Sequence, residues 1–238
     1  MRPPKHGIVG ITRRLFLRLT GGMFFMTTFP SAIAGFFIKA LPIRTVEKGT
    51  PKFYSETGFV DLGNKKEPYR LVVDGLVKKA RSFSYADLKS FPQFEQVSDF
   101  HCVEGWSVKD LKWGGFRFRE ILNQVETGGD ATHVVFHSLG ETGYSPRGQK
   151  HYIESFPLSE LLDPEREILQ ALTMDGRPLP DENGGPLRLI SPFDYGYKSI
   201  KFIKRIEFIN EERAGWWTLA NPEYPMVARV PESRLRRK

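Results

Sequence analysis

The sequence predicts a mixed α+β fold, rich in strands and formed as a single domain, on three observations. Short apolar runs alternate with polar residues, as in YRLVVDGLV (69–77) and SIKFIKRIEFI (199–209). Segments with helical spacing are brief, and proline interrupts them, as at Pro92 and Pro164. The 238 residues are 40% hydrophobic and 13% aromatic, which is ample for a core and excludes a disordered chain. No internal repeat or low-complexity tract is present.

The elements follow in order. Residues 1–34 read as an address: TRRLFLR (12–18) precedes LTGGMFFMTTFPSAIAGFFI (19–38), twenty residues without a charge, with Ala32-Ile33-Ala34 as an A-x-A cleavage site. The pair Arg13-Arg14, with Thr12 before it and apolar residues behind, resembles a twin-arginine export signal. An uncleaved membrane anchor is the alternative, weakened by Pro30 and the glycines. Residues 35–68 are polar, with scattered Pro and Gly, and read as a linker or wrapping arm. The main folded domain is placed at 69–230 and a basic tail at 231–238.

Within that domain YRLVVDGLV is a strand ending at Asp74-Gly75, and YADLKSF (85–91) a short helix stopped by Pro92. FEQVSDFHCVEGW is a strand running into a turn at Glu104-Gly105, which puts Cys102 at the strand end. FRFREILNQV (116–125) has helical spacing, THVVFHSL (132–139) is a buried strand, and GETGYSPRGQ (140–149) is a Gly-rich loop. LSELLDPEREILQALTMDG reads as helical pieces broken at Pro164. SIKFIKRIEFI is a strand with Ile200, Phe202, Ile206 and Phe208 on one face.

Charge and cysteine content exclude several classes. The net charge of +7 is the sum over residues 1–44, which hold seven basic residues and no acid. Residues 45–238 carry 28 basic against 28 acidic residues, four of the basic ones in the closing RLRRK. A nucleic-acid footprint on the folded body is therefore not expected. One cysteine excludes an intramolecular disulfide, a four-cysteine zinc site, an iron–sulfur cluster and a CxxCH haem attachment.

That cysteine lies in FHCVEGW (100–106), and a lone cysteine most often packs as a small buried hydrophobe. Other segments argue against that. Arg188 runs from ENGGPLRL into an apolar strand, where a guanidinium needs an anionic partner, although Asn183-Gly184-Gly185-Pro186 alone is a turn. Lys198 and Lys201 flank a strand start beside Gly196, where backbone N–H groups and lysines can hold a phosphate. Taken together with a strand-end Cys, these describe a site for an anionic, phosphate-bearing cofactor bound through sulfur. Twin-arginine export, which carries folded proteins, agrees with a cofactor inserted before transport. Arg147 in the Gly-rich loop is a candidate polar group near the substrate entrance.

HCVEGWSV, the WGGF spacing, NGGPLRL and YGYKSIKFIKRIEF resemble the molybdopterin-dependent oxidoreductases of the sulfite oxidase fold, over about residues 69–210. The nearest are the small exported bacterial members, catalytic subunits of protein-methionine-sulfoxide reductases among them. The resemblance implies that Cys102 is the thiolate ligand of molybdenum. It implies that Asn183, Arg188, Ser199, Ile200 and Lys201 hold the pterin and its phosphate, and that Ser138, or His137 beside it, touches the cofactor. Asn183 and Arg188 keep the family's five-residue offset. The reductase subgroup carries an asparagine-aromatic stretch near its mature N-terminus; here KFYSETGFVD leaves Phe53 and Tyr54 as its candidates. His101 before the cysteine also departs from the reductase pattern, and the matched region leaves out the haem and dimerisation domains of animal sulfite oxidases.

The expected function is two-electron oxygen-atom transfer on a molybdenum-molybdopterin cofactor, with sulfoxide reduction, of protein methionine among others, as the first reading and sulfite oxidation as the alternative. A thiolate suits a redox metal because it is soft, and the pterin supplies further sulfur, so one cysteine suffices. Trp106 and Trp113 are candidates for shielding the metal or for core packing. Without a second redox motif in the chain, electrons would come from a membrane haem protein or a soluble cytochrome outside the cytoplasm. Three rivals stay open. A zinc site on His133 and His137 suffers from the roughly 13 Å that four strand residues span. A nucleophile pair of Cys102 with His133, His137 or His151 leaves the Arg and Lys segments unexplained. A binding module that has lost its cofactor is the third.

Overall fold

The computed structural model describes residues 45–235. The expected export signal and the first part of the arm lie outside the described residues, as do the last three positions of the basic tail. No helix among the described residues is long and apolar enough to cross a membrane.

In chain order the strands are β1 (Lys52–Tyr54), β2 (Phe59–Asp61), β3 (Lys66–Pro68), β4 (Arg70–Gly75), β5 (Arg81–Ser84), β6 (Phe94–His101) and β7 (Ser107–Phe116). They continue as β8 (His133–Ser138), β9 (Ile153–Pro157), β10 (Leu169–Met174), β11 (Arg177–Pro178), β12 (Arg188–Ile190) and β13 (Ile203–Ile209). Among the described residues, the short helices α1 (Tyr85–Ser90), α2 (Phe118–Val125) and α3 (Leu158–Leu162) fall between them, and α4 (Trp216–Ala220) follows β13. The strand-rich α+β expectation holds.

Strands β1-β2-β3 form a small antiparallel sheet. One five-stranded sheet has the order β5-β4-β13-β8-β9, in which β4 and β13 run parallel. In the other, β11-β10-β7-β6 are neighbours and β12 also pairs with β10. Residues from both five-stranded sheets share one core: Leu71 and Val73 of β4, Val134 and Phe136 of β8 and Ile206 and Phe208 of β13 meet Phe116, Leu172 and Leu189. Helix α2 adds Phe118, Ile121 and Val125, spaced so that they share one face. Gly115 is what lets β7 lie against β10, since a Cβ there would sit 2.0 Å from the carbonyl oxygen of Gln170.

Local signals explain the elements that sequence reading found. Ser84 and Asp87 form a capping box at the start of α1, worth about 1 kcal/mol, and Phe91 before Pro92 is extended and ends it. Three expectations need correction. The run ILQALTM, expected as helical, is mostly strand β10, buried at nearly every position; a central strand covered on both faces has no period-2 signal. Strand β13 starts at Ile203 instead of Ser199, because Phe202 has a φ of 55° and breaks the extended run. Residues 52–68 of the expected linker form the β1-β2-β3 sheet, pinned where the Phe53 N–H donates to Asp181 Oδ1 at 2.8 Å and where the Phe53 ring packs on Tyr69 and Tyr85.

Candidate active site

Strands β6 and β7 form a hairpin whose last pair is His101 with Ser107, so residues 102–106 are its loop. The Cys102 N–H donates to the Trp106 carbonyl at 2.9 Å and the Gly105 N–H to the Cys102 carbonyl at 3.1 Å, with Gly105 at a φ of 98° that favours glycine. Cys102 is half-buried and lines a cleft of about 640 Å³. Arg188, Ser199, Ile200 and Lys201 line the same cleft. Residues brought together from 86 to 99 positions apart thus share one cavity of ligand-binding size.

Arg188 is 1% exposed. It donates from Nη1 to the Asn183 carbonyl at 2.7 Å and from Nη2 to the Ser199 carbonyl at 3.1 Å, while its buried Nε finds no partner among the described residues. The rings of Trp113 and Phe100 flank it at 5.2 and 5.8 Å, and no carboxylate among the described residues pairs with it. Burial pushes its pKa down to about 9. Lys201 donates to the Glu182 carbonyl at 2.7 Å, and burial, then the neighbouring Arg188 charge, push its pKa down to about 8. Gly196 is required beside them, because a Cβ there would meet the Phe100 ring at 2.1 Å.

Two crowded cations with an orphaned guanidinium N–H fit a phosphate-bearing anion and a soft thiolate fits molybdenum, so the donor set suits a molybdopterin. The cations also fix a pH dependence. Between about 8 and 10.5 the unfolded chain holds the Lys201 proton that the folded chain has lost, so the cofactor-free protein gains stability as pH rises through that window. Anion affinity moves the other way. Titrating inorganic phosphate into cofactor-free protein should give affinity that falls as pH rises through 8, a trend that Lys201→Met flattens.

A sequence model of the oxidoreductase molybdopterin-binding domain matches residues 59–217, about two thirds of the chain. The chain belongs to this family. It is 33% identical over 209 residues to the protein-methionine-sulfoxide reductase catalytic subunit MsrP of Ralstonia nicotianae, which covers 79% of this chain and 62% of that protein. The MsrP of Pseudomonas syringae is 35% identical over 176 residues, covering 70% of this chain and 51% of the relative. The chain therefore spans between about half and two thirds of these relatives' length. Among solved structures, the sulfane dehydrogenase SoxCD of Paracoccus pantotrophus superposes with a TM-score of 0.56 at 19% identity, over 73% of this chain and 46% of that one, a likeness of fold. The sulfite oxidase-type fold and the molybdopterin-binding oxidoreductase class read from the sequence are thereby shown.

The cleft does not gather every residue the sequence singled out. Asn183 meets the site through its carbonyl, the acceptor for Arg188, which is the physical content of their five-residue offset. Ser138 is fully buried at the end of β8 with a hydroxyl that lacks a partner among the described residues; its N–H donates to the carbonyl of Tyr152, a cleft residue, at 2.9 Å. His137 is engaged elsewhere, with Nε2 3.0 Å from Glu207 and Nδ1 2.9 Å from His151 Nε2. Burial pushes its pKa down to about 4, so the neutral ring donates to Glu207 and accepts from His151. Arg147 is exposed, in a tight turn at Pro146–Gly148 that packs on α4, and is not among the cleft residues. Lys198 is turned inward, 2.7 Å from the buried Glu154, and so does not join Lys201. Among the described residues, no three His, Cys, Asp or Glu side chains gather as a metal-binding group.

Other cleft residues escaped the sequence reading. Thr45, Val46 and Glu47 of the arm line it, pinned where the Gly143 N–H donates to the Val46 carbonyl and the Lys48 N–H to the Glu141 carbonyl. They, and not Phe53 or Tyr54, are the arm's contribution: Phe53 packs against the core and Tyr54 lies under Lys66. Phe100 and Trp106 stack at 6.1 Å beside Cys102, while Trp113 belongs to the core cluster beneath. Trp217 stacks on Tyr224 at 5.1 Å, and Tyr224 meets Tyr197 edge-on at 5.3 Å, all three lining the cleft. The aromatic density of AGWWTLANPEY (214–224) was the available signal for this wall.

Proposed function

We propose that the protein reduces sulfoxides, transferring one oxygen atom at a molybdenum-molybdopterin cofactor held by Cys102. The observation that carries this reading is the make-up of the cleft around the cysteine: aromatic walls from Phe100, Trp106, Tyr197, Trp217 and Tyr224, with the carboxylate of Glu104 in the cysteine loop. A neutral sulfoxide, whose sulfur and methyl groups gain from aromatic faces, suits such walls. Sulfite is a small anion that has no use for aromatic area. The likeness to sulfoxide-reductase subunits supports the same direction.

When bound, the cofactor supplies two-electron oxygen-atom transfer, and the net reaction takes a sulfoxide, two electrons and two protons to a thioether and water. The protein's own residues do the rest. Cys102 offers a soft anionic donor at the end of a rigid hairpin. Arg188 and Lys201 would hold the cofactor's phosphate, with Ser199 and Ile200 lining the cleft beside them and the Asn183 carbonyl orienting Arg188. The aromatic walls orient the substrate and displace water. Ser138 and Arg147 remain candidates outside the cleft lining, Ser138 toward the cofactor and Arg147 toward incoming substrate.

Electrons would reach the site from an external carrier, a membrane haem protein or a cytochrome, since Cys102 is the one cysteine and the described residues offer no second centre. Arg13-Arg14 and the apolar run behind them support twin-arginine export and a periplasmic location.

The test is turnover of methionine sulfoxide, free and in an oxidised protein, with a chemically reduced dye as donor, beside sulfite with cytochrome c as acceptor. Sulfoxide turnover without sulfite oxidation is the expected result; sulfite oxidation alone would overturn the assignment. Trp217→Ala should raise KM for the sulfoxide up to about tenfold with little change in kcat, the size of one sulfur–aromatic contact. Steady-state kinetics of the loaded variant check this.

A further inference from the structure

The loop that carries Cys102 is held from a distant part of the chain. Arg234, in the tight turn Glu232–Arg234, donates from Nη1 to the Cys102 carbonyl at 3.1 Å. Its Nη2 donates to the Trp106 carbonyl at 2.9 Å and to Ser107 Oγ at 3.0 Å. Ser107 Oγ is in turn 2.8 Å from Nδ1 of His101, the buried residue before the cysteine. The Arg234 guanidinium lies 5.6 Å from the centre of the Tyr195 ring, and Tyr195 forms a backbone bridge to His101. One planar cation thus ties both ends of the five-residue loop together and packs on Tyr195. Lys can bring the charge of such a fork but not its paired bonds.

We infer that Arg234 is a positioning residue for the metal-binding cysteine: it fixes the Cys102 backbone and sets a positive charge on the cysteine's own peptide. This rests on the reading that Cys102 binds molybdenum. Charge and hydrogen bonds just outside a metal's ligands tune its potential, as the peptide and ring partners of ligating residues do elsewhere. A cation stabilises the more reduced, more negative state, so Arg234 raises the reduction potential. Glu104 accepts from the Trp106 indole at 3.1 Å within the same loop, so the loop carries both signs. Arg234 bonds to the peptide of Cys102 itself. A stretch expected to be a basic tail therefore reaches the cysteine loop.

The test compares Arg234→Gln and Arg234→Lys with wild type, each loaded with cofactor in the cell. The potential is read by redox titration of the Mo(V) paramagnetic signal. The expected result is a lower potential in Arg234→Gln, largely restored in Arg234→Lys. A Gln variant at the wild-type potential, or a Lys variant no higher than the Gln variant, overturns the inference. A Gln variant isolated folded but without molybdenum, while the Lys variant keeps it, supports the inference; loss from both overturns the charge role. Amide hydrogen exchange on cofactor-free protein separates this from the metal assignment. Exchange at Cys102 and Gly105 should quicken about tenfold or more in Arg234→Gln. Unchanged exchange overturns the positioning role, whereas wild-type protein that never binds molybdenum sinks the metal reading and leaves the clasp standing.

Discussion

Cys102→Ser should remove oxygen-atom transfer while leaving the fold in place. A hydroxyl of similar size keeps the loop's backbone bonds, which run through the Cys102 N–H and carbonyl and not through its side chain. What is lost is the soft anionic donor: a serine hydroxyl stays protonated near neutral pH and is a poor ligand for a metal that favours sulfur. Turnover should drop by more than about a hundredfold, beyond the roughly 10- to 100-fold that removing an outer partner of a metal ligand produces. Thermal unfolding of the cofactor-free variant should match wild type, because serine is close in size to the half-buried cysteine. Kinetics and unfolding measured on the same preparations check both halves. A variant that keeps activity would return Cys102 to the role of a packed side chain.

Arg188→Met should separate binding from folding in the same way at the other end of the cleft. A fully buried cation with no carboxylate partner among the described residues is costly, and burial has already pulled its pKa to about 9. Replacing it with an apolar chain of similar length removes that cost but leaves the Asn183 and Ser199 carbonyls without their donors. Water can replace the lost bond at the part-buried Asn183 carbonyl, while the buried Ser199 carbonyl loses its donor at some cost. The two effects offset, and the cofactor-free variant should unfold within about 1 kcal/mol of wild type. Cofactor retention should fall by at least about thirtyfold, since an anion that loses a buried charged partner forfeits some 2–5 kcal/mol. Calorimetry and pterin release on gel filtration give the two readings.

How much of this was legible in the sequence follows from where each signal lives. The hairpin with Cys102 at its strand end was readable because alternation, cysteine and Glu104-Gly105 lie within a dozen residues. Arg188 stood out because a guanidinium in LRLI conflicts with its neighbours, and the conflict marks the site. Lys198 looked the equal of Lys201 because its partner, Glu154, lies 44 positions away, and burial of that pair is a tertiary fact. Strand β10 was hidden by burial on both faces. The start of β13 was misplaced because Phe202 takes a φ that its side chain does not announce. The arm's aromatics drew attention to Phe53 and Tyr54, yet backbone bonds to the Gly-rich loop bring Thr45 to Glu47 into the cleft instead. The role of Arg234 was invisible for the same reason: its three acceptors lie some 130 residues away.

The most direct measurement is the molybdenum and pterin content of the wild-type protein, expressed in cells that make the cofactor and purified without chelators. A ratio near one molybdenum and one pterin per chain is expected, with the pterin lost from Arg188→Met. Protein that is folded, fully expressed and free of both would contradict the central claim and leave the cleft without its cofactor.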